Sequence, residues 1–346
     1  MITLKEIARL ANVSYTTVSN VVNGNTGRVS QTTIEKINAI LKETGYIPNM
    51  YARSLVQQSS RVIAYIELHP ANRFDSPFVS SLIESLESAL HNKDYYLMVR
   101  RAQDKDDLIH FLKCWNVDGL FFTGLGDPAM MDVINNMGIP TVTIDSYSSL
   151  DRVSNVRVDD CEGGYLATRH LLDNGHRRIA VAFPSLDANS VDEQRLEGYR
   201  KALGQFGIPF DDSLLFDCTT RKTSGIQLGE ELARLDGLTA VFATSDMLAL
   251  EIMAGLRQAG KAVPDDMSIV GFDDARLSRL SNPTLTTIHQ SIEEKGQIAV
   301  QFMIDRIENK GRQKIMHTIL PVKLVGRQTV RRIGALKPLP VPASPP

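Results

Sequence analysis

TLKEIARLANVSYTTVSNVVNG, residues 3–24, places two short amphipathic runs around a three-residue break. Thr3 and Glu6 stand at the spacing of a capping box, in which each side chain satisfies the other's free backbone N–H. Ile7, Ala8 and Ala11 follow at helical intervals, so the spacing predicts a helix over about 4–11. Asn12-Val13-Ser14 reads as a tight turn, with Ser14 the N-cap of a second helix over about 15–22. Val18, Val21 and Val22 give that helix its apolar stripe. The run NGNTGR makes a second break and leads to Ser30, another cap. A third helix over about 31–44 turns Ile34, Ile37, Ile40 and Leu41 inward and stops at Gly45.

Three short helices with a three-residue turn between the first two make a helix-turn-helix, whose second helix lies in the DNA major groove. The outer face of that helix is Tyr15, Thr16, Thr17, Ser19 and Asn20. Short donors and acceptors let a helix sit close to base edges and phosphates, where long charged side chains would hold it away. The same pattern also fits a small structural bundle whose polar face is merely solvated. Charge bears on the choice: residues 1–60 hold six basic against three acidic residues, a net +3, which leaves −5 for the rest of a chain of formal net charge −2. A basic head on an acidic body fits an anionic partner.

Next comes GYIPNMYARSLVQQSS, 45–60. Pro48 biases the chain before it away from helix. Residues 49–56 can make two helical turns, too short to be stable alone, and the serines and glutamines after them read as a linker.

From residue 61 strands and helices alternate. VIAYIEL (62–68), YYLMV (95–99), DGLFF (118–122) and PTVTI (140–144) are strand-length runs, separated by helices over about 78–92, 105–114 and 128–137. RIAVAF (178–183), SLLF (213–216), TAVFA (239–243) and SIVGF (268–272) continue the cycle, with helices over about 193–206, 223–235 and 246–260. Such alternation predicts two parallel α/β sheets with helices on both faces, and a cleft where the strand C-terminal ends converge. Polar groups at those ends decide what binds. Asp145 ends TVTID, Thr244, Ser245 and Asp246 follow TAVFA, Asp273 follows SIVGF, and Arg195 opens a helix after RIAVAF. Carboxylates with one Arg suit hydroxyl-rich ligands, because each carboxylate accepts two hydroxyls and Arg donates a fork of bonds. Each carboxylate there could equally be a helix N-cap or an ion pair between lobes, and Asp246 could simply cap the helix that begins at 247.

The chain has 346 residues, enough for two or three domains, with 43% hydrophobic and 23% charged residues. No apolar run approaches the roughly 18 residues of a membrane span, and MITLKEIARL is too charged for a signal peptide, so no membrane partner is expected. Cys114, Cys161 and Cys218 are odd in number and far apart, which argues against a disulfide framework or a zinc site and for a reducing cytoplasm. The run Gly124-Leu125-Gly126-Asp127-Pro128-Ala129 fits the dinucleotide pattern G-x-G-x-x-A, with Asp145 about twenty residues on. It follows the third strand of its lobe rather than the first, and Asp127 and Pro128 more simply start a helix. P-loop, H-E-x-x-H and G-x-S-x-G motifs are missing, and the seven histidines show no ligand spacing; His289 reads as a strand residue near a lobe crossover. No cofactor, metal or enzyme activity is expected.

LKEIARLANVSYTTVSNVVNG, RVSQTTIEKINAILKETGYIPN and ARSL resemble the headpiece and hinge of the lactose-repressor (LacI/GalR) family. The resemblance runs to about residue 330 through NGHRRIA (174–180), GYRKALGQFGIP (198–209), TSDMLALE (244–251), GFDD (271–274) and NPTLTTIHQ (282–290). It implies an N-terminal all-α helix-turn-helix headpiece, 1–47, a hinge helix and linker, 48–60, and a two-lobed periplasmic-binding-protein-like effector and dimerisation domain, 61–330. Lobe one would hold about 61–158 and 291–320, lobe two about 159–290 and 321–330, and 331–346 is a Pro-rich tail that cannot form a tetramer helix. The family would use the hinge helix only on operator DNA, two of them entering the minor groove of a homodimer's site with Leu55 as a wedge. By the same resemblance Thr3, Ser14, Asn23, Arg28, Tyr46, Asn49 and Ala52 join the outer face of the second helix as DNA-binding residues. Arg195, Asp273 and Ser245 fall at effector positions, with Asp145 and the Ser76-Pro77-Phe78 segment. Helix 78–92, with Leu82, Leu86 and Ala89 on one stripe, would share in dimerisation.

One departure concerns the ligand. Family members often carry a stacking aromatic before the segment equivalent to Thr223-Ser224-Gly225; here Thr220 stands there, and Phe216 comes too early. The expectation is therefore a cytoplasmic dimeric transcription repressor controlled by a small molecule, with a carbohydrate first and a sugar phosphate or nucleoside left open. The rivals are a sugar-binding or transport-type protein without DNA activity, a co-repressor-type regulator and an α/β enzyme.

Overall fold

The computed structural model describes residues 2–46, 59–67, 76–123, 132–134, 136–147, 153–186, 190–309 and 314–334. The expected hinge with Asn49, Ala52 and Leu55, the Gly124–Ala129 run and the tail from 335 lie outside the described residues. The chain forms two compact units, Met1–Val62 with Asn116–Asp118, and Ile63–Trp115 with Gly119–Pro346.

In the first unit, α1 spans Leu4–Ala11, α2 Tyr15–Val22 and α3 Gln31–Thr44. Both bonds of the Thr3/Glu6 capping box form, and Glu6 consequently titrates below the usual carboxylate range, chiefly through the Thr3 backbone N–H. Asn12 takes the left-handed conformation that ends α1, and Ser14 and Ser30 cap α2 and α3 through the N–H groups of Thr17 and Thr33. Gly45 closes α3 with φ 59°. Ile7, Ala8, Ala11, Val18, Val21 and Ile37 make the core. A core this small leaves stability sensitive to each cap, worth about 0.5–2 kcal/mol. Beyond the helices, Asp118 accepts from the Ser60 and Arg61 backbone N–H groups at 2.8 and 3.0 Å and from the Ser60 hydroxyl at 2.9 Å.

The second unit contains two six-stranded sheets. Its elements run β1 (Val62–Glu67), α4 (Pro77–His91), β2 (Tyr96–Arg101), α5 (Lys105–Cys114), β3 (Gly119–Thr123), β4 (Thr141–Ile144), β5 (Ser154–Val158) and α6 (Asp160–Asp173). They continue with β6 (Ile179–Phe183), α7 (Val191–Gln205), β7 (Leu215–Asp217), α8 (Cys218–Arg221), α9 (Gly225–Leu232), β8 (Ala240–Ala243) and α10 (Asp246–Gln258). The last are β9 (Ser268–Asp273), α11 (Arg276–Leu280), β10 (Thr286–Gln290), α12 (Ile292–Glu308), β11 (His317–Leu320) and β12 (Val322–Val325). Strand order is β11-β5-β4-β3-β1-β2 in one sheet and β12-β10-β9-β8-β6-β7 in the other. The sheets are not wholly parallel as expected: β12 pairs antiparallel with β10. It follows β11 after a single residue and enters the second sheet from the opposite direction.

The chain thus passes from the first sheet to the second after β5, returns after β10 and crosses again after β11. α12 returns with it, packing Ala299, Val300 and Met303 into the core of the first sheet beside Leu82, Leu86 and Leu90 of α4. Ala89, expected on that stripe, is only partly buried. The second sheet is buried on both faces, under α9 and α10 on one side and α6 and α7 on the other. Continuous apolar runs such as Ile179–Phe183 follow from that double cover. Residues 331 and 333 are tied to this lobe, the Arg331 N–H donating to Ser268 Oγ on β9 and the Ile333 N–H to the carbonyl of Asn174 at the end of α6.

Candidate functional site

Two sets of sequence-expected residues can be followed. The first is the outer face of α2. Tyr15 is 50% exposed, Thr16 is exposed, and Thr17, Ser19 and Asn20 are half-buried. Val18 and Val21 anchor the opposite side in the head core, so the polar face is turned outward. Ser14 Oγ lies 2.8 Å from Thr17 Oγ1, and Asn23 donates to Ser19 Oγ at 3.3 Å. Thr3 and Arg28 are exposed, whereas Tyr46 is half-buried against the head core, where burial pushes its hydroxyl pKa up.

The second set lies where strands of both sheets end. Asp145 follows β4 with φ 53°, and Asp273 ends β9 with φ 120°, so both turn the chain sharply as the strands finish. Arg195 projects from α7 against Asp160, the first residue of α6: Nε and Nη2 lie 2.9 and 2.8 Å from Asp160 Oδ1, and Nη1 donates to the Thr244 carbonyl. Its guanidinium carbon is 3.6 Å from the Phe272 ring centroid. Gly164 permits this geometry, because a Cβ there would meet the Arg195 carbonyl oxygen at 2.1 Å. The Tyr147 hydroxyl donates to Asp160 Oδ2 at 2.7 Å.

A second chain of contacts joins the sheets. Lys295 of α12, with no exposed surface, donates to Asp145 Oδ1 and Oδ2 at 2.7 Å each and to Gln290 Oε1 at 2.6 Å. Gln290, at the end of β10, donates in turn to Asp273 Oδ1 at 2.7 Å. The Phe78 ring centroid is 5.1 Å from the Lys295 ammonium, so the α4 N-terminus also reaches this point. Ser76 is the α4 N-cap residue but makes no side-chain cap bond.

Burial dominates the electrostatics. It pushes the Asp273 carboxyl up to about 6, against the opposing pull of Arg195 and the Gln290 hydrogen bond. It raises Asp160 too, with Arg195 opposing, and raises Asp246 well above the usual range, with neighbouring Asp273 adding to the effect. Asp246 does not cap α10, the role its position had left open. Ser245 does, through the Leu248 N–H, while Asp246 accepts from the Ala275 N–H and the Thr287 hydroxyl inside the lobe. The Gly271 of GFDD makes room for it: a Cβ there would sit 2.3 Å from Asp246 Oδ1.

Asp145, Arg195, Asp273, Ser245 and Phe78 therefore share one region of the second unit. Sequence reasoning missed Asp160, Tyr147, Gln290 and Lys295. Asp160 and Gln290 stand beside the expected crossovers at 159 and 290, which was a usable signal; Lys295 gave none. Phe216 is buried on β7, and Thr220 is exposed on α8 with its hydroxyl bonded to Asp217, so neither supplies an aromatic platform. The Gln290 and Asp273 contacts leave one Asp273 oxygen without a hydrogen bond from the described residues, and the buried Thr244 hydroxyl has no partner among them.

Residues 3–49 match the bacterial regulatory proteins of the lacI family, and residues 168–330 match a periplasmic binding protein-like domain. The transcriptional repressor PurR of Vibrio parahaemolyticus serotype O3:K6 (strain RIMD 2210633) is 32% identical over 341 residues, covering 96% of this chain and 100% of that protein. Among solved structures, the Lac repressor dimer bound to operator and the anti-inducer ONPF superposes with a TM-score of 0.78 at 26% identity, covering 95% and 99% of the two chains. The transcriptional regulator CelR in complex with cellobiose gives 0.70 at 28% identity, covering 95% and 100%.

Proposed function

The chain belongs to the lacI family of bacterial regulatory proteins, and we propose that it is a homodimeric repressor whose hold on operator DNA is set by a small hydroxyl-rich molecule, a sugar or sugar derivative, bound between its lobes. The observation that carries the DNA reading is the rigid, uncharged face of α2, held out by Val18 and Val21 and capped by Ser14. Thr16, Thr17, Ser19 and Asn20 are the base readers, with Tyr15, Thr3, Ser14, Asn23, Arg28 and Tyr46 contacting or supporting the backbone grip. Asn49, Ala52 and Leu55 belong to a hinge that seats in the minor groove, Leu55 as the wedge. The protein acts in the cytoplasm, where operator DNA is.

Residues 1–47 serve as headpiece, 48–60 as hinge and linker, and 61–330 as effector and dimerisation domain. Asp145, Arg195, Ser245, Asp273, Ser76 and Phe78 surround the effector. The Asp273 oxygen that takes no hydrogen bond from a described residue supports a ligand that offers hydrogen-bond donors. Apolar side chains left exposed on β2 (Tyr96, Val99) and on α11 (Leu277, Leu280) support dimerisation through both sheets' lobes. Among the described residues no helix is long and apolar enough to cross a membrane.

The test is selection of binding sites from random duplex DNA by the full-length protein, followed by gel shifts with and without sugars, sugar phosphates and nucleosides. The reading expects one palindromic site whose affinity changes with one of these compounds. Failure to enrich any sequence would sink the DNA assignment.

A further inference from the structure

We propose that Lys295 sets the charge of the molecule that the cleft accepts, serving as a built-in cation so that an uncharged hydrogen-bond donor is bound and an anionic one is refused. This rests on the cleft being the effector site. The argument starts from the charges packed there. Asp145, Asp160 and Asp273 face two cations, Lys295 and Arg195. An ammonium has three donors, and Lys295 spends all three, two on the oxygens of Asp145 and one on Gln290. Arg195 commits Nε and Nη2 to Asp160 and Nη1 to the Thr244 carbonyl, with its face on Phe272.

The Lys295 ammonium is thus consumed internally and Arg195 keeps only the second hydrogens of Nη1 and Nη2, so the charge left over in the cluster is that of a carboxylate, three against two cations. One oxygen of Asp273 takes no hydrogen bond from a described residue. The Thr244 hydroxyl, fully buried, has no partner among the described residues and can donate or accept. A phosphate or carboxylate placed there adds to a cluster that is already net negative, and loses affinity on the order of a hundredfold relative to its neutral parent. A hydroxyl or amine meets an unspent carboxylate oxygen instead.

Lys295 is the residue that fixes this balance because it neutralises Asp145 where nothing else does: among the described residues both Asp145 oxygens bond to Lys295 and to no other side chain. Removing its charge returns Asp145 to the cleft as a second unanswered carboxylate. The preference should then move toward cations. A variant that removes both charges of the pair should leave the preference where it was.

The experiment is titration calorimetry on full-length protein with matched sets of one sugar skeleton: the neutral hexose, its 2-amino-2-deoxy analogue and its 6-phosphate, for glucose, galactose and mannose. The wild type is expected to bind at least one neutral hexose and to bind its phosphate at least about tenfold more weakly. Lys295→Met should raise the affinity ratio of amino sugar to neutral sugar by about tenfold or more, and Lys295→Gln, which keeps a donor toward Asp145 if the first variant folds poorly, should do the same. Lys295→Met with Asp145→Asn should restore the wild-type ratio. A phosphate bound more tightly than its parent, or a ratio unchanged in both single variants, overturns the proposal while leaving the effector site in place. Binding by no member of any set overturns the sugar-effector reading and this proposal with it.

Discussion

The guanidinium of Arg195 lies over the ring of Phe272, 3.6 Å from carbon to centroid, while two of its nitrogens grip Asp160 at 2.8–2.9 Å. One side chain thereby ties α7 to the end of β9 and to the start of α6, where the chain first enters the second lobe. Lysine could not replace it, since a point charge cannot stack and fork at once. Asp160 is wholly buried, so Arg195 has a structural duty apart from any ligand.

That duty predicts the behaviour of Arg195→Ala. The substitution strands a buried carboxylate, and breaking such a pair costs about 3–5 kcal/mol. Urea unfolding of the variant should show a loss of that size, and adding Asp160→Asn should recover more than half of it. An additive double variant would mean that the two residues do not act as a pair.

Asp273 gives a pH prediction. Its carboxyl is raised by burial to about 6, against about 4 in an unfolded chain. The folded state therefore holds more protons between those values, so this group's contribution to stability is fully present below pH 4 and is lost as pH rises through 6. Asp273→Asn abolishes the dependence. Relative to wild type, the variant should gain about 2–3 kcal/mol between pH 4 and pH 7 in thermal or urea unfolding. A constant difference across that range would show that Asp273 stays ionised throughout.

What could be read from the sequence follows from how local each signal is. Thr3, Glu6, Ser14 and Ser30 cap helices through bonds that span three residues, so the head was legible almost to the residue. Strands β6, β8 and β9 were equally plain, because apolar runs bounded by turns report double burial. β5 and α6 were missed: SNVRV is short and polar, and Gly163 and Gly164 dilute the helical pattern. In α6 Gly164 serves a close approach to Arg195, a tertiary fact that no local pattern carries. Lys295 is the extreme case. A lysine on an amphipathic helix reads as solvated surface, and only the return of α12 to the first sheet puts its ammonium beside Asp145, 150 residues away in sequence.

For the head, base contacts must be separated from phosphate contacts. Thr16→Ala and Asn20→Ala should each weaken the selected operator by about 1–3 kcal/mol while leaving random duplex binding nearly unchanged. Fluorescence anisotropy on both duplexes at one fixed salt concentration distinguishes the cases. Equal losses on the two DNAs would demote both residues to backbone contacts.

Dimerisation can be tested at two places. Leu280 on α11 is 67% exposed and Tyr96 on β2 is 61% exposed, both large apolar side chains that an isolated chain gains nothing by displaying. Leu280→Asp and Tyr96→Asp should leave circular dichroism unchanged and shift sedimentation from dimer toward monomer. Operator affinity should fall steeply in step, since two headpieces must bind one site together. Variants that stay dimeric at micromolar protein would place the interface elsewhere.

The last prediction concerns coupling between the lobes. Gln290 is buried at the end of β10, gives its amide to Asp273 and takes the Lys295 ammonium on its carbonyl. Asp273 belongs to the second sheet, while Lys295 and its partner Asp145 pack with the first. The carboxamide therefore links Asp273 of the second sheet to Lys295 beside the first. A ligand shifts operator affinity only by as much as it discriminates between lobe arrangements. If it engages the other Asp273 oxygen, it pulls on the carboxylate that Gln290 holds and so on what holds Lys295. Gln290→Met keeps the volume and removes both bonds, at a stability cost of about 1–3 kcal/mol for each partner left unsatisfied. The variant should still bind operator and effector, but the ratio of operator affinities with and without effector should shrink toward one. Measuring that ratio, rather than either affinity alone, separates lost coupling from a damaged pocket. A wild-type ratio in Gln290→Met would mean that the lobes communicate by another route.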